Sequence, residues 1–136
     1  MVHGQIRFLY AGIEVTDLER SLRFYSGLGF KVVIRGKMEH GGEWVHLRMP
    51  HQAQRLELNY YPTGSRFRRP YRSGSELDHL GFKVGDADAW ARKAVGLGGR
   101  IVDRVDEEHE WLVYVTDPDG IWLEFIGDPS LRKTVR

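Results

Sequence analysis

The sequence predicts an α+β fold built from two tandem β-α-β-β-β modules. Three observations carry this. The same order of strand-like and helix-like segments occurs twice. Each helical segment is framed by a capping Asp and a glycine stop. A displacement of 69 positions places Gly12, Val15, Asp17, Arg23, Gly27, Leu28, Gly29, Val33 and Arg35 on Gly81, Val84, Asp86, Arg92, Gly96, Leu97, Gly98, Val102 and Arg104. All nine are identities, and identities spread over three successive elements are economically read as an internal duplication.

Ile6 to Val15 reads as a first strand, and Thr16-Asp17-Leu18 reads as a helix start. Apolar residues at Leu18, Leu22, Phe24 and Tyr25 give that helix one buried face, and Gly27-Leu28-Gly29 ends it because glycine takes the left-handed cap conformation cheaply. Phe30 to Ile34 is rich in β-branched residues and continues as a strand, followed by strands over Glu43 to Met49 and Arg55 to Tyr60. The second half repeats the order. Leu80 to Val84 is a strand, Asp86 a cap, Ala87 to Val95 a helix, and Arg100 to Val105, Glu110 to Thr116 and Ile121 to Ile126 are strands. At the late strands the best displacement becomes 67, which aligns Trp44 with Trp111 and Leu56-Glu57 with Leu123-Glu124, so one small length difference is expected there. Module one thus covers residues 6–61 and module two residues 78–127 of a single 136-residue domain, joined by a Gly-, Ser- and Arg-rich linker over 62–77. The basic tail after Asp128 is expected to fray.

Composition narrows the function. With 20 Lys and Arg against 19 Asp and Glu the net charge is +1, which gives no general reason to invoke nucleic acid. The chain has no Cys, which removes disulfides, thiolate zinc sites and thiol nucleophiles. No apolar run approaches the roughly 18 residues that cross a bilayer, and the start carries no apolar leader, so a cytoplasmic protein acting on a small molecule is expected.

A duplication packed with approximate two-fold symmetry is expected to bring equivalent positions together, and three such positions carry metal-competent groups. Glu57 and Glu124 each sit between apolar neighbours, Leu56 and Leu58 or Leu123 and Phe125, so alternation turns each carboxylate to the face opposite its flanking apolar neighbours, where both are expected to point inward. Inward-facing carboxylates are costly without a compensating cation. His79 opens the second module, and its equivalent in the first is Tyr10. Oxygen and imidazole donors suit Zn, Ni, Co, Mn or Fe(II), between which the residues do not distinguish.

These residues resemble the vicinal oxygen chelate superfamily, which includes glyoxalase I, extradiol dioxygenases and bleomycin resistance proteins. The likeness rests on the run from Ile13 to Tyr25, on Leu56-Glu57-Leu58, on Asp78-His79-Leu80-Gly81-Phe82-Lys83-Val84, and on Asp117-Pro118-Asp119-Gly120 followed by Ile121-Trp122-Leu123-Glu124. It implies that the modules form a curved mixed sheet around a central site, that one divalent ion is held by Glu57, His79 and Glu124, and that two chains form a homodimer. Glyoxalase I is the nearest pattern, which implies a lyase or isomerase of the lactoylglutathione lyase kind. The ion would polarise a small oxygen-chelating substrate while Glu124 or Glu57 moves a proton between neighbouring carbons. Tyr10 departs from that pattern, where His or Gln is usual. A neutral phenol is a poor ligand, so Tyr10 is expected to contact the substrate or a metal-bound water. The alternatives are an extradiol-type dioxygenase, whose second His would stand where Tyr10 does, and a non-enzymatic antibiotic-binding protein.

His3, His40, His51 and His109 are expected to be solvated, whereas His46 shares a strand face with Trp44 and Arg48 and either approaches the site or packs outward. Arg66, Arg68, Arg69 and Arg72, interleaved with Phe67 and Tyr71, read first as a solvated linker and second as a binder of carboxylate or phosphate.

Overall fold

The computed structural model describes residues 4–5, 8–75 and 77–132. His3, the first two residues of the expected strand from Ile6, Glu76 and the end of the basic tail lie outside the described residues.

The first half folds as β1 (Tyr10–Val15), α1 (Leu18–Leu28), β2 (Lys31–Lys37), β3 (Glu43–Arg48) and β4 (Arg55–Tyr60). The second folds as β5 (Leu80–Lys83), α2 (Ala87–Gly96), β6 (Arg100–Asp106), β7 (Trp111–Thr116) and β8 (Trp122–Ile126). Each half makes a four-stranded sheet, in the orders β1-β4-β3-β2 and β5-β8-β7-β6. In both, the first strand runs parallel to the fourth and the other pairs are antiparallel. The expected α+β duplication is therefore present in the topology itself.

The helix ends follow local chemistry. The Asp17 carboxylate accepts from the Arg20 amide, and that of Asp86 from the Ala89 amide, each satisfying a donor the first turn leaves free. Gly29 closes α1 at φ 116°, in the left-handed region. The tail does not fray at once: Asp128 caps a short 3₁₀ turn over Pro129–Leu131.

The repeat holds to the level of irregularities. A register shift falls between Val32 and Ile34 in the first sheet and between Ile101 and Asp103 in the second, again 69 residues apart. The expected single length difference is two separate one-residue steps. His46 pairs with Glu57 and Tyr114 with Glu124, so β3 and β7 differ by 68 while β4 and β8 differ by 67. Trp44 is consequently equivalent to Leu112, not to Trp111. One residue of slip exchanges the faces of a strand. Trp111 is buried in the core, whereas Trp44 is half-buried on the opposite face beside His46.

One hydrophobic core serves both halves. It takes Val45, Leu47, Leu56 and Leu58 from the first sheet, Val113, Val115, Leu123 and Phe125 from the second, and Phe24, Tyr25, Ala91 and Ala94 from the helices. Phe30 of the first half meets Phe82 of the second edge-on at 6.1 Å. The Asp117-Pro118-Asp119-Gly120 turn joins the halves as well. Asp117 accepts from the Tyr25 hydroxyl at 2.7 Å and from the amides of Asp119 and Ile121. Asp119 accepts from the amide and hydroxyl of Thr16, from Arg20 and from Ser21.

Candidate metal-binding half-sites

Because Leu56, Leu58, Leu123 and Phe125 enter the shared core, Glu57 and Glu124 stand on the outer faces of their sheets. Each faces a glycine across the parallel pair, Gly12 for Glu57 and Gly81 for Glu124. A Cβ on Gly12 would sit 3.3 Å from Glu57 Oε1, so the absent side chain leaves room for the carboxylate.

Around Glu57, His46 Nε2 lies 2.7 Å from Oε2, and His46 Nδ1 lies 3.5 Å from Arg55 Nη1. A carboxylate only accepts, so His46 donates through Nε2–H to Glu57. The Tyr10 ring packs on His46 with centroids 4.4 Å apart, and Trp44 lies on its other side at 5.2 Å.

Around Glu124, the Tyr114 hydroxyl donates to Oε2 in a short hydrogen bond. That bond, ahead of burial, pushes the Tyr114 phenol up to about 12. His79 Nδ1 lies 2.6 Å from the Asp78 carboxylate, so an Nδ1–H donated there leaves the lone pair of the neutral ring on Nε2. His79 Nε2 is 3.7 Å from Glu124 Oε1. Two donors about 2.1 Å from one ion are separated by roughly 3.0 Å in octahedral and 3.4 Å in tetrahedral geometry, so this pair fits two ligands of one divalent ion after a small adjustment.

The structure thus brings His79 to Glu124 and Tyr10 to the Glu57 neighbourhood, but it does not unite the two glutamates. Among the described residues no group of three or more His, Asp or Glu side chains converges as a metal-binding set. Two-fold packing is expected to join equivalent positions either within a chain or across two, and among the described residues one chain does not assemble the set. The halves meet through their apolar, helix-bearing sides, which leaves the carboxylates on outer faces. The donors of one chain fit a metal only as two half-sets.

Two residues that complete the half-sites were not singled out as site residues. His46 and Tyr114 reach the glutamates from the neighbouring strand, and cross-strand register, which the sequence does not state, is what pairs them. Alternation from Trp44 was the available signal for His46. Of the other histidines, His40 packs against Phe67 at 4.6 Å, while His51 and His109 are exposed in turns.

Two cavities flank these faces. One of about 600 Å³ lies between the modules and is mainly apolar, with Leu28, Phe30, Leu56, Phe82 and Trp90 in its wall. The other, about 570 Å³, lies between the edge of β1 and the linker.

No curated protein sequence matches this chain. Solved structures do. The trypanothione-dependent glyoxalase I of Leishmania major is 26% identical with a TM-score of 0.74, covering 96% of this chain and 93% of that one. A glyoxalase family protein of Bacillus cereus shares the fold at 19% identity and a TM-score of 0.75, covering 92% and 95% of the two chains. An antibiotic-binding protein of Streptomyces sp. CB03234 shares it at 20% identity and 0.66, covering 92% and 98%. The family profile described as glyoxalase/bleomycin resistance protein/dioxygenase superfamily matches residues 7–125, and with most of the chain matched this protein belongs to that superfamily.

Proposed function

We propose that the protein is a metal-dependent lyase or isomerase of the glyoxalase I kind, working as a homodimer in which Glu57 of one chain and His79 and Glu124 of another hold one divalent ion. The observation that carries this reading is the matched pair of half-sites. Glu57 and Glu124 occupy equivalent places opposite a glycine, each with one oxygen held by a side chain from the next strand, and the other oxygen of Glu124 lies 3.7 Å from His79 Nε2. Superfamily members commonly bind a divalent metal. β1 and β5 are the margins of their sheets, and Phe8 and Leu9 just before β1 are 79% and 50% exposed. An unpaired edge beside exposed apolar residues favours burial against a second chain.

The bound ion would supply Lewis-acid polarisation of adjacent substrate oxygens. The chain's own groups do the rest. Asp78 fixes the His79 tautomer, His46 and Tyr114 hold the glutamates in position, and one glutamate carries the proton between neighbouring carbons. Tyr10, packed on His46, contacts the substrate or a water of the ion. Among the described residues no helix is long and apolar enough to cross a membrane.

Elemental analysis of protein purified without chelator, with a sedimentation mass and a lactoylglutathione lyase assay, tests this. About one ion per chain in a dimer, lost in His79→Ala and Glu124→Gln with the fold intact, is the expected result. A metal-free monomer overturns it. The second reading, a small-molecule binding protein without metal, is favoured by the aromatic lining of both outer faces: Tyr10 and Trp44 on one, Tyr114 and Trp122 on the other, the last two 5.8 Å apart. Absence of metal together with quenching of Trp fluorescence by a flat aromatic ligand would favour it.

A further inference from the structure

The linker over 62–77 is exposed over most of its described residues, yet it is fastened to the fold at several points. Glu14 on β1 accepts the Arg69 amide with both oxygens, at 2.7 and 3.0 Å, and fastens the linker to the strand edge. Arg68 donates to the Tyr61 carbonyl at 2.7 Å and lies over the Tyr60 ring, and the Tyr71 hydroxyl donates to the Leu77 carbonyl. What this borders is an open-mouthed cavity of about 570 Å³ with a largely apolar floor, whose wall includes Arg68, Arg69 and Arg72 and, among the described residues, one carboxylate, Glu14. The guanidinium groups of Arg69 and Arg72 make no hydrogen bond or close ion pair among the described residues, although the charges of Arg68 and Arg69 act on Glu14, whose carboxylate accepts the Arg69 amide. Guanidinium is the planar donor suited to bidentate binding of carboxylate and phosphate. The volume falls in the range of small-molecule sites.

The geometry points to this cavity as an oxyanion subsite that holds the carboxylate- or phosphate-bearing end of the substrate. Gly12 is part of its wall and is also the residue opposite Glu57. The cavity thus shares a residue with the Glu57 half-site, which would let one ligand reach both. The link to catalysis rests on the proposed role of Glu57, whereas the anion site itself rests only on the linker geometry.

The test uses the full chain, as purified, in amide-resolved NMR titrations with inorganic phosphate and separately with glutarate, at about 20 mM salt so that charge is little screened. Saturable shifts centred on the amides of Gly12, Tyr71 and Ser75 are expected. Because both arginines are exposed, each is worth about three- to fivefold in affinity, and Arg69→Gln with Arg72→Gln should weaken binding about tenfold or more. The exposed pair Arg23→Gln and Arg100→Gln, away from the cavity, should weaken it less than twofold. Preference for phosphate over glutarate, or the reverse, identifies the anion. No saturable shift at the cavity, or equal weakening in both double variants, overturns the proposal. Metal content separates the two readings: phosphate bound at the cavity of a metal-free protein removes the metal centre and leaves the anion site, and metal bound without anion binding removes the anion site alone.

Discussion

Replacing Asp117 by Ala tests whether the Asp-Pro-Asp-Gly turn is a structural clamp between the modules. The Asp117 side chain is buried and accepts from three donors. Two of these, the Tyr25 hydroxyl and the Ile121 amide, belong to residues that are fully buried, and truncation leaves both without a partner. At about 1.5 kcal/mol for each orphaned donor the loss is about 3 kcal/mol, with the half-buried Asp119 amide adding little because water reaches it. Urea unfolding followed by Trp fluorescence reads this directly. Asp117→Asn should cost only about 1 kcal/mol, since the amide oxygen still accepts the two backbone amides.

A pH series adds a signed test. Burial, outweighing the hydrogen bonds from Tyr25 and the amides, raises the Asp117 carboxyl above its ordinary range. A carboxyl raised in the fold favours the folded state while protonated. Its contribution is therefore fully present below the ordinary carboxylate range and lost as pH rises through the folded value. The wild type should lose stability relative to Asp117→Asn over that interval. Asp88, held low by its hydrogen bond with Arg104, acts in the opposite sense, and the comparison with the Asn variant cancels it. A cost below about 1 kcal/mol for Asp117→Ala, or a gap that moves the other way with pH, would refute the clamp.

Gly12→Ala places a methyl group 3.3 Å from Glu57 Oε1 and 3.0 Å from Asn59, whereas Gly81→Ala meets Glu124 at an ordinary 3.8 Å, so metal titration should find the first variant weakened about tenfold or more and the second nearly unchanged, with both folded. Trp111→Ala should cost about 3–5 kcal/mol in urea unfolding because the ring is 1% exposed, while Trp44→Ala on the outer face should cost roughly a third of that. Tyr10→Phe should keep the metal, since the ring still packs on His46, and Tyr10→His should tighten binding by adding a fourth donor, both read by competition with a metal-chelating dye. Loss of metal from a folded Tyr10→Phe protein would make the phenol itself a ligand.

Much of the fold was legible in the chain because its signals are local. Asp17 and Asp86 cap helices, Gly29 ends one in the left-handed region, and Glu57 and Glu124 stand opposite their apolar neighbours as alternation requires, although on outer faces and not turned inward as expected. Register was not legible. The β3–β7 equivalence slipped by one residue because Trp44 and Trp111 resemble each other, and in a strand that error reverses the face. His46 and Tyr114 were missed as site residues for the same reason: they reach Glu57 and Glu124 only through pairing with the next strand. Nor does a repeat reveal which sides of its copies meet.

That last point decides where chemistry can occur. The helices and the apolar strand faces of both modules need burial, and one chain supplies it by packing them against each other, with Phe30 on Phe82 and Tyr25 on Asp117 across the junction. Once those sides are joined, alternation forces Glu57 and Glu124 outward and apart. Each glutamate is nonetheless restrained by a neighbouring strand, with its second oxygen beside a residue from the first strand of the module or its approach: Gly12 for one, His79 at 3.7 Å for the other. Restraining an outer-face carboxylate costs side-chain entropy. Two such restraints at equivalent positions are what the proposed dimer would use, and the cavity beside Arg69 and Arg72 shares Gly12 with the Glu57 half-site.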